Sequence, residues 1–347
     1  MPKIGLIGCG YWGPNLLRNL NSFDDVTVVA VADRSPERRD FVQKTYPHIN
    51  TIEEGEDVIN NPDIDAVFVA TPAATHAVVA RQALEAGKDV FVEKPLALRT
   101  EDAIELTRLA KKKDKILMVG HSFLYNAAVN DLKRRIDDGE LGNLYYLYSQ
   151  RLNLGIVRPD VDAAWNLAPH DVSIGCYLLN SKPVQVTAKG IRALQPGPDG
   201  LDDVVFMSVT YENGVVMHIH VSWLDPQKVR RMTVVGDRQM IVYDDVSPDK
   251  IRIYDKGIIK GDAVPMEQPS DFARFKMITR AGDLHVPNVK VPEPLKVQCR
   301  HFIECVTNRT TPRSDGHNGV MVTAVLEAAQ RSAKEAGAPV NIEIPNE

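Results

Sequence analysis

Residues 3–120 alternate between short apolar runs and segments with helical periodicity. The apolar runs are 3–8 (KIGLIG), 26–32 (VTVVAVA), 65–70 (DAVFVA), 89–92 (DVFV) and 116–120 (ILMVG). Runs that are apolar at nearly every position are typical of strands buried on both faces, and the helical segments between them indicate parallel strands. The pattern therefore predicts an α/β domain with a doubly wound parallel sheet, which closes near His121.

The rest of the chain follows a different pattern. Its strand-like segments are 145–152, 184–193, 204–212, 215–223, 230–236 and 239–245. Turns with glycine separate several of them, which favours antiparallel hairpins and a second, α+β domain with a large, open and mainly antiparallel sheet. Helices are expected near 165–179, 293–308 and 317–336, and a long, partly irregular excursion over 246–290. A length of 347 residues suits two domains, which we place at 1–121 and 122–347.

The composition argues against several classes of protein. Acidic residues outnumber basic residues by 46 to 41, and the formal net charge of −5 disfavours non-specific binding to nucleic acids or anionic membranes. No apolar stretch approaches the roughly 18 residues that a membrane-spanning helix needs. The first apolar run begins at Lys3, which leaves no room for a signal peptide. The four cysteines lack zinc-site spacing, so we expect reduced thiols, no bound metal and a cytoplasmic protein.

A glycine motif follows the first apolar run. Gly8, Gly10 and Gly13 form G-x-G-x-x-G between a predicted strand and a predicted helix. The first two glycines permit a tight turn and a close approach of the backbone to a pyrophosphate, and the third lets the helix pack closely on the strand. Asp33 ends the next strand 20 residues after Gly13, where a carboxylate can bind both hydroxyls of an adenosine ribose. The motif predicts a dinucleotide site that prefers NAD to NADP.

Three further features concern this cofactor site. Arg34, next to Asp33, can bind the 2′-phosphate of NADP, or it can stack on adenine. Tyr11 and Trp12 lie inside the glycine motif, and Trp12 either shields the cofactor or packs against the fold. His76 is interpreted mainly as structural, and a position near the cofactor is the alternative.

Polar residues stand at the carboxyl ends of two other predicted strands. Thr71-Pro72 follows the third apolar run, and Glu93-Lys94-Pro95 follows the fourth. In an open parallel sheet, ligands bind beyond the carboxyl ends of the strands, so these residues are expected on the rim that holds the dinucleotide. A lysine near the nicotinamide can polarise a substrate oxygen, or relay its proton, as a hydride leaves the same carbon. We therefore predict that Lys94 is catalytic.

The glycine motif together with TPAATHAVVARQALEAGKDVFVEKPLAL resembles the Gfo/Idh/MocA oxidoreductases, which include glucose–fructose oxidoreductases and inositol dehydrogenases. The resemblance covers nearly the whole chain, including EPLKVQCRHFIECVTNRTTPRSDG, and E-K-P is its most specific signature. It implies a Rossmann domain followed by an open-sheet α/β domain. It also implies that Lys94 contacts the substrate and that Glu93 helps to hold the nicotinamide ribose.

The second signature of this family is D-x-x-x-H at the start of a helix. Here the sequence is WNLAPHD, in which His170 matches the histidine and Asn166 stands where an aspartate is usual. A spacing of four places both side chains on one helix face. His170 can take a hydroxyl proton near neutral pH, whereas Asn166 can orient a hydroxyl but cannot act as a base. The acid–base role is therefore expected to fall on Lys94 and His170.

Two strings indicate a substrate class. GYWGPNLLRN and WNLAPHDVSI resemble family members that act on nucleotide-linked sugars, such as UDP-N-acetylglucosamine 3-dehydrogenases. A diphosphate needs cationic donors, and segment 151–165 offers Arg151, Asn153 and Arg158, although these arginines could equally be solvated surface charges. We expect an NAD-dependent dehydrogenase that acts at C3 of such a sugar. An inositol or polyol dehydrogenase is the main alternative, and a non-catalytic dinucleotide-sensing protein is the second.

The open sheet also predicts assembly. Apolar side chains alternate with histidines along the predicted strand 215–223. The apolar positions are Val215, Met217, Ile219 and Val221, and the histidines between them are His218 and His220. Because helices are expected on only one face of such a sheet, the other face needs a partner. We expect a homodimer or a homotetramer.

Overall fold

The computed structural model describes residues 1–155, 157–194, 197, 200–260 and 277–345. Its first sheet has six parallel strands in the order β3-β2-β1-β4-β5-β6. The strands are β1 Lys3–Ile7, β2 Thr27–Ala32, β3 Asn50–Ile52, β4 Ala66–Val69, β5 Asp89–Val92 and β6 Leu117–Val119. Every residue of β4, β5 and β6 is buried, as expected for strands with helices on both faces. The predicted doubly wound sheet is confirmed, and β3 is a strand that the apolar runs did not indicate.

Five helices connect these strands. They are α1 Gly13–Leu20, α2 Pro36–Thr45, α3 Gly55–Asn60, α4 His76–Glu85 and α5 Thr100–Lys112. Helix α2 begins after Ser35, whose hydroxyl accepts a hydrogen bond from the backbone N–H of Arg38 at 3.3 Å. The strand order reverses between β1 and β4, which is the position where an open α/β sheet forms a ligand crevice at its carboxyl edge.

The second sheet has nine strands in the order β16-β13-β12-β11-β7-β10-β9-β8-β17. They are β7 Leu144–Leu154, β8 Pro183–Ile191, β9 Val204–Tyr211, β10 Val216–Ser222, β11 Leu224–Gly236, β12 Met240–Asp244, β13 Ile251–Tyr254, β16 Leu284–His285 and β17 Val340–Asn341. A separate antiparallel pair joins β14 Gly257–Lys260 to β15 Met277–Arg280. Strands β7 and β10 run parallel, and their neighbours pair antiparallel, which confirms the expectation of a mainly antiparallel sheet.

The predicted excursion over 246–290 is partly described. It contains β13 to β16, and its residues 261–276 lie outside the described residues. The hairpin expected between β9 and β10 is present: Gly214 has φ +82° and donates its N–H to the carbonyl oxygen of Tyr211 at 2.9 Å. Only glycine adopts this backbone conformation without strain, so the turn explains the glycine.

The two faces of the nine-stranded sheet differ. Helices α6 Ala127–Asp137 and α7 Ala163–Leu179 pack on one face, together with α9 Gly316–Lys334, and the apolar row of β10 points toward them. The other face carries His218 and His220 beside large, partly exposed rings, Tyr146, Tyr148 and Phe206. The alternation along β10 therefore separates a core face from an open face, as the sequence indicated.

The last two long helices contact both sheets. Helix α8 Pro294–Asn308 packs on α1, and α9 packs on α5, α7 and β8. The segment before α9 lies along the edge of the first sheet, where the backbone N–H of Val119 donates to the carbonyl oxygen of Ser314 at 2.7 Å. The division at residue 121 stays a prediction. Over the ranges given above, no helix is long and apolar enough to cross a membrane.

Candidate active site

Three glycines shape the crevice at the end of β1, each for a different steric reason. Gly8 has φ +95°, and a Cβ atom there would lie 2.6 Å from the carbonyl oxygen of Ala70. A Cβ atom on Gly13 would lie 2.5 Å from the carbonyl oxygen of Gly8, so α1 could not pack as closely on the turn. Gly10 faces open space, with nothing within 4 Å of a Cβ position. The turn and the N-terminus of α1 fit a pyrophosphate.

Asp33 is fixed beside this turn. One carboxylate oxygen accepts the backbone N–H of Cys9 at 2.6 Å, and the other accepts the backbone N–H of Ser35 at 2.9 Å. Each oxygen keeps a second lone pair, so the carboxylate fits the two hydroxyls of a ribose. The guanidinium of Arg34 is largely exposed, and its nearest acidic group is Glu54, at 3.3 Å.

The aromatic residues of the glycine motif face the same crevice. Tyr11 is 81% exposed, and its ring stacks on Trp12 with a centroid separation of 6.5 Å. The Trp12 side chain is close enough to the carboxyl of Glu93 to oppose the rise in the pKa of that group. Trp12 thus stands between the glycine turn after β1 and the segment after β5.

The segments after β4 and β5 are joined through His76. Its ring nitrogens lie 2.8 Å from the carbonyl oxygen of Thr71 and 2.7 Å from that of Pro95. Burial lowers the pKa of this imidazole, which is only 2% exposed. Thr71 is partly exposed and Pro72 is exposed at the end of β4, where a cofactor would pass. We interpret His76 as a residue that holds both segments in place, and a direct contact with the cofactor stays a prediction.

Glu93 and Lys94 form a coupled pair at the end of β5. Burial raises the pKa of Glu93 to about 7, against the opposing effect of the Lys94 charge. Burial likewise lowers the pKa of Lys94 to about 8, against the opposing effect of Glu93. The Nζ atom of Lys94 donates to the backbone carbonyl oxygen of Asn166 at 2.9 Å. An amine with this pKa can exchange a proton near neutral pH.

Helix α7 brings the predicted histidine to the same place. The helix begins after Asp162, whose carboxylate accepts the backbone N–H of Trp165 at 2.9 Å. Asn166 and His170 are both partly exposed, one turn apart. The Nδ1 atom of His170 is buried without a hydrogen-bond partner, and its ring lies 4.8 Å from that of Phe123 between centroids. Burial, followed by the charges of Arg151 and Lys94, lowers the pKa of His170 well below 6.5.

The three residues of segment 151–165 that were predicted to bind a diphosphate occupy different environments. Arg151 is 4% exposed, and its Nε donates to the carboxylate of Asp171 at 2.6 Å. Arg158 is partly exposed and donates to Asp160 at 2.7 and 2.8 Å. Asn153 lies on β7 and is partly exposed. The guanidinium of Arg151 is thus used within the protein, whereas Arg158 lies nearer the solvent.

His121 and Asn318 also lie at this site, although neither was predicted from the sequence as a site residue. His121 follows β6, and because Val119 pairs with Val92, the register carries His121 alongside Lys94. Its Nδ1 lies 2.6 Å from the side-chain oxygen of Asn318 in α9, and its Nε2 is buried without a partner. Burial lowers the pKa of His121 to about 4, so the ring is neutral. Ligands bind beyond the carboxyl ends of parallel strands, and the same expectation applied to β6 would have indicated His121. No local signal in the sequence indicates Asn318.

The glycine turn, the fixed carboxylate of Asp33, and a lysine and a histidine at the carboxyl edge of a parallel sheet together fit a dinucleotide-binding oxidoreductase. Residues 2–121 match the family model described as the Gfo/Idh/MocA oxidoreductase family with an NAD-binding Rossmann fold. Residues 129–242 match the C-terminal domain model of the same family. The chain belongs to the Gfo/Idh/MocA family of NAD-dependent oxidoreductases.

Individual relatives differ in what they act on. Over 351 residues the chain is 25% identical to a scyllo-inositol 2-dehydrogenase (NAD(+)) of Bacillus subtilis, covering 99% of this chain and 96% of the relative. The structure of a UDP-N-acetylglucosamine 3-dehydrogenase, GnnA, from Acidithiobacillus ferrooxidans superposes with a TM-score of 0.79 at 22% identity, covering 96% and 97%. An oxidoreductase from Agrobacterium radiobacter, solved with NAD+, L-tartaric acid and magnesium, gives a TM-score of 0.80 at 18% identity, covering 98% of each chain. At these identities the structures support the fold alone.

Proposed function

We propose that the protein exchanges a hydride between NAD and the C3 position of a nucleotide-linked sugar such as UDP-N-acetylglucosamine. One observation carries the catalytic part of this proposal. The Lys94 amine, with a pKa of about 8, meets helix α7 at Asn166, one turn from His170. A titrating nitrogen thus lies beside the helix that carries the imidazole and the amide, which supports a shared role for the three groups at one substrate oxygen.

The nicotinamide ring, when bound, accepts or donates the hydride at the reacting carbon. Lys94 takes the hydroxyl proton when the alcohol is oxidised and returns it when the ketone is reduced. His170 stays neutral at physiological pH and accepts or donates a hydrogen bond at the same oxygen. The amide of Asn166 orients the hydroxyl but neither gains nor loses a proton near neutral pH, so the proton transfer depends on Lys94.

The cofactor site favours NAD over NADP. The Asp33 carboxylate is held by two backbone N–H groups, and it would repel a 2′-phosphate. Arg34 could offset this repulsion, but its guanidinium is mostly exposed beside Glu54. Tyr11 and Trp12 are placed to cover the bound cofactor, and the carboxylate of Glu93 to accept a hydroxyl of the nicotinamide ribose.

Two observations bear on the substrate. The resemblance of GYWGPNLLRN and WNLAPHDVSI to nucleotide-sugar enzymes supports a sugar nucleotide. The burial of Arg151 against Asp171 favours the second candidate, an inositol or polyol dehydrogenase, because it leaves fewer cations for a diphosphate. The inositol dehydrogenases among the relatives support the same candidate. A non-catalytic sensor would not need the Lys94 arrangement.

A substrate panel tests the assignment. UDP- and dTDP-sugars, free hexoses and inositols are each mixed with NAD and the enzyme, and NADH formation is followed. We expect turnover of UDP-N-acetylglucosamine or a similar sugar nucleotide, with oxidation at C3 confirmed by NMR of the product. Turnover of myo-inositol or free glucose, with no response to any sugar nucleotide, would replace this substrate by a polyol.

A further inference from the structure

Arg230 is a cationic residue at the site that neither the glycine motif nor the family signatures indicate. It lies on β11 directly opposite Arg151 of β7 in the antiparallel register. Residues paired in this way point to the same sheet face, and Arg151 uses that face to reach Asp171 of α7. The guanidinium of Arg151 lies 4.5 Å from the ring centroid of Phe123, which itself contacts His170. Arg230 therefore lies on the sheet face that α7 and His170 cover, and its charge contributes to lowering the pKa of His170.

The two neighbouring arginines differ in how they are paired. The side chain of Arg151 is only 5% exposed and shares short hydrogen bonds with Asp171. The side chain of Arg230 is 35% exposed, and its contact with the Asp245 carboxylate is long, at 3.4 Å. Asp245 also accepts the hydroxyl of Tyr243 at 3.0 Å. The pairing of Arg230 is thus weaker than that of Arg151.

The Nε–H group of Arg230 is buried and has no hydrogen-bond partner. A buried donor on a charged group costs free energy until an acceptor meets it. A guanidinium edge fits carboxylate and phosphate oxygens in two parallel hydrogen bonds. The partly exposed guanidinium of Arg230, with an Nε–H group that has no acceptor, is therefore suited to bind an anion in the site.

Other charges at the site agree with an anionic ligand. Position 166 carries an amide, which does not repel a negative group and can donate to it. The carboxylate of Asp171 is paired with Arg151, and that of Asp160 with Arg158. Burial also holds the pKa of Glu93 near 7, so this carboxyl is partly neutral. Lys94 and Arg230, the latter in long contact with Asp245, therefore contribute positive potential around His170.

We propose that Arg230 binds a negatively charged group of the substrate, and that Asn166 admits this group beside the reacting carbon. The group is either the carboxylate of a sugar acid or a phosphate of a sugar nucleotide, since both present the same oxygen edge. Arg230 then determines specificity for anionic over neutral sugars. This inference rests on the proposed function, because it uses the same site.

Three probes separate the sources of charge. Glucuronate carries only a carboxylate, UDP-N-acetylglucosamine carries only a diphosphate, and myo-inositol carries no charge. For each probe, KM and kcat are measured with NAD, and a dissociation constant is measured by calorimetry on enzyme saturated with NADH. The variants are Arg230→Gln and Arg230→Lys. The matched control is Arg231→Gln, because Arg231 points to the opposite sheet face and pairs with Asp244 at 2.8 Å.

Arg230→Gln is expected to raise KM and the dissociation constant for at least one anionic probe by about tenfold or more, which is about 1.4 kcal/mol. Arg230→Lys should recover part of this loss, and Arg231→Gln should change neither constant. A response limited to glucuronate identifies a carboxylate, and a response limited to UDP-N-acetylglucosamine identifies the diphosphate. Asn166→Asp should weaken the binding of the same anionic probe more than that of myo-inositol.

The inference fails if Arg230→Gln changes every anionic probe by less than twofold, or weakens myo-inositol equally. Its failure is distinct from failure of the proposed function. If anions bind through Arg230 but no NAD is reduced, the proposed dehydrogenase activity is wrong and the anion-binding site stands. If turnover depends on Lys94 but not on Arg230, the anion-binding site is wrong and the proposed dehydrogenase activity stands.

Discussion

The Nζ atom of Lys94 donates a hydrogen bond of 2.9 Å to the backbone carbonyl oxygen of Asn166. The contact joins the end of β5 in the parallel sheet to helix α7, which covers the second sheet. It also holds the amine one helical turn from His170. The Lys94 amine is thus positioned by both parts of the chain, and its pKa depends on burial between them.

The pH dependence of turnover should follow Lys94. Burial lowers the pKa of this amine to about 8, so the neutral form dominates above that pH. Alcohol oxidation needs the neutral amine as a base, and its kcat/KM should rise with pH through about 8 and then level off. Ketone reduction needs the ammonium as an acid, and its rate should fall as pH rises through about 8. If the rates of oxidation and reduction change with pH in the same sense, Lys94 does not carry out the proton transfer.

Asp33 should set the cofactor preference. Asp33→Ser removes a carboxylate that fits the ribose hydroxyls and also holds the N–H of Cys9. We expect NADH binding to weaken by about tenfold or more, about 1.4 kcal/mol, with a smaller loss for NADPH. The control is Arg34→Ala, because this exposed arginine should matter little for NADH. Equal affinity of the wild-type protein for NADH and NADPH in a fluorescence titration would show that Arg34 decides the pocket.

The Arg151–Asp171 ion pair should be essential for stability. Both side chains are about 5% exposed or less, and the shortest contact is 2.6 Å. Asp171→Asn leaves a buried guanidinium without its counter-charge, and the free energy of unfolding should fall by about 3–5 kcal/mol. Urea denaturation measures this loss. The double variant Arg151→Met, Asp171→Leu should recover much of it; a single variant that unfolds like the wild type would contradict a stabilising pair.

Much of the fold and part of the site could be predicted from sequence because their signals are local. The buried strand runs, the glycine turn and the strand-end position of Lys94 each depend on a few adjacent residues. The spacing of four likewise placed Asn166 and His170 on one helix face.

The remaining residues depend on pairings over long sequence distances. Arg230 meets the site only because β11 pairs with β7 in one register. Asn318 reaches His121 only because α9 returns to the edge of the first sheet. Segment 151–165 offered candidate cations for a diphosphate, but tertiary packing buries Arg151 against Asp171.

The open face of the nine-stranded sheet should mediate assembly. Phe206 is 47% exposed there and stacks on His220 at 4.1 Å between centroids, beside Tyr148. Light scattering should report a dimer or tetramer for the wild-type protein, and Phe206→Asp should shift it toward the monomer, because a carboxylate opposes burial of this face. Val78→Asp is the control, since Val78 is 58% exposed on α4 of the first sheet. A wild-type monomer at micromolar concentration would contradict this prediction.

The most direct test of the account is single-turnover reduction of NAD by Lys94→Ala with a substrate identified in the panel. In the proposed site Lys94 meets the reacting oxygen, whereas Gly8, Gly10 and Asp33 bind the cofactor. The variant should therefore fold and bind NADH with wild-type affinity. Its hydride-transfer rate should fall by about 10²- to 10³-fold or more, since transition-state stabilisation at the oxygen is lost. A near-wild-type rate in a folded, NADH-binding Lys94→Ala protein would contradict the central claim.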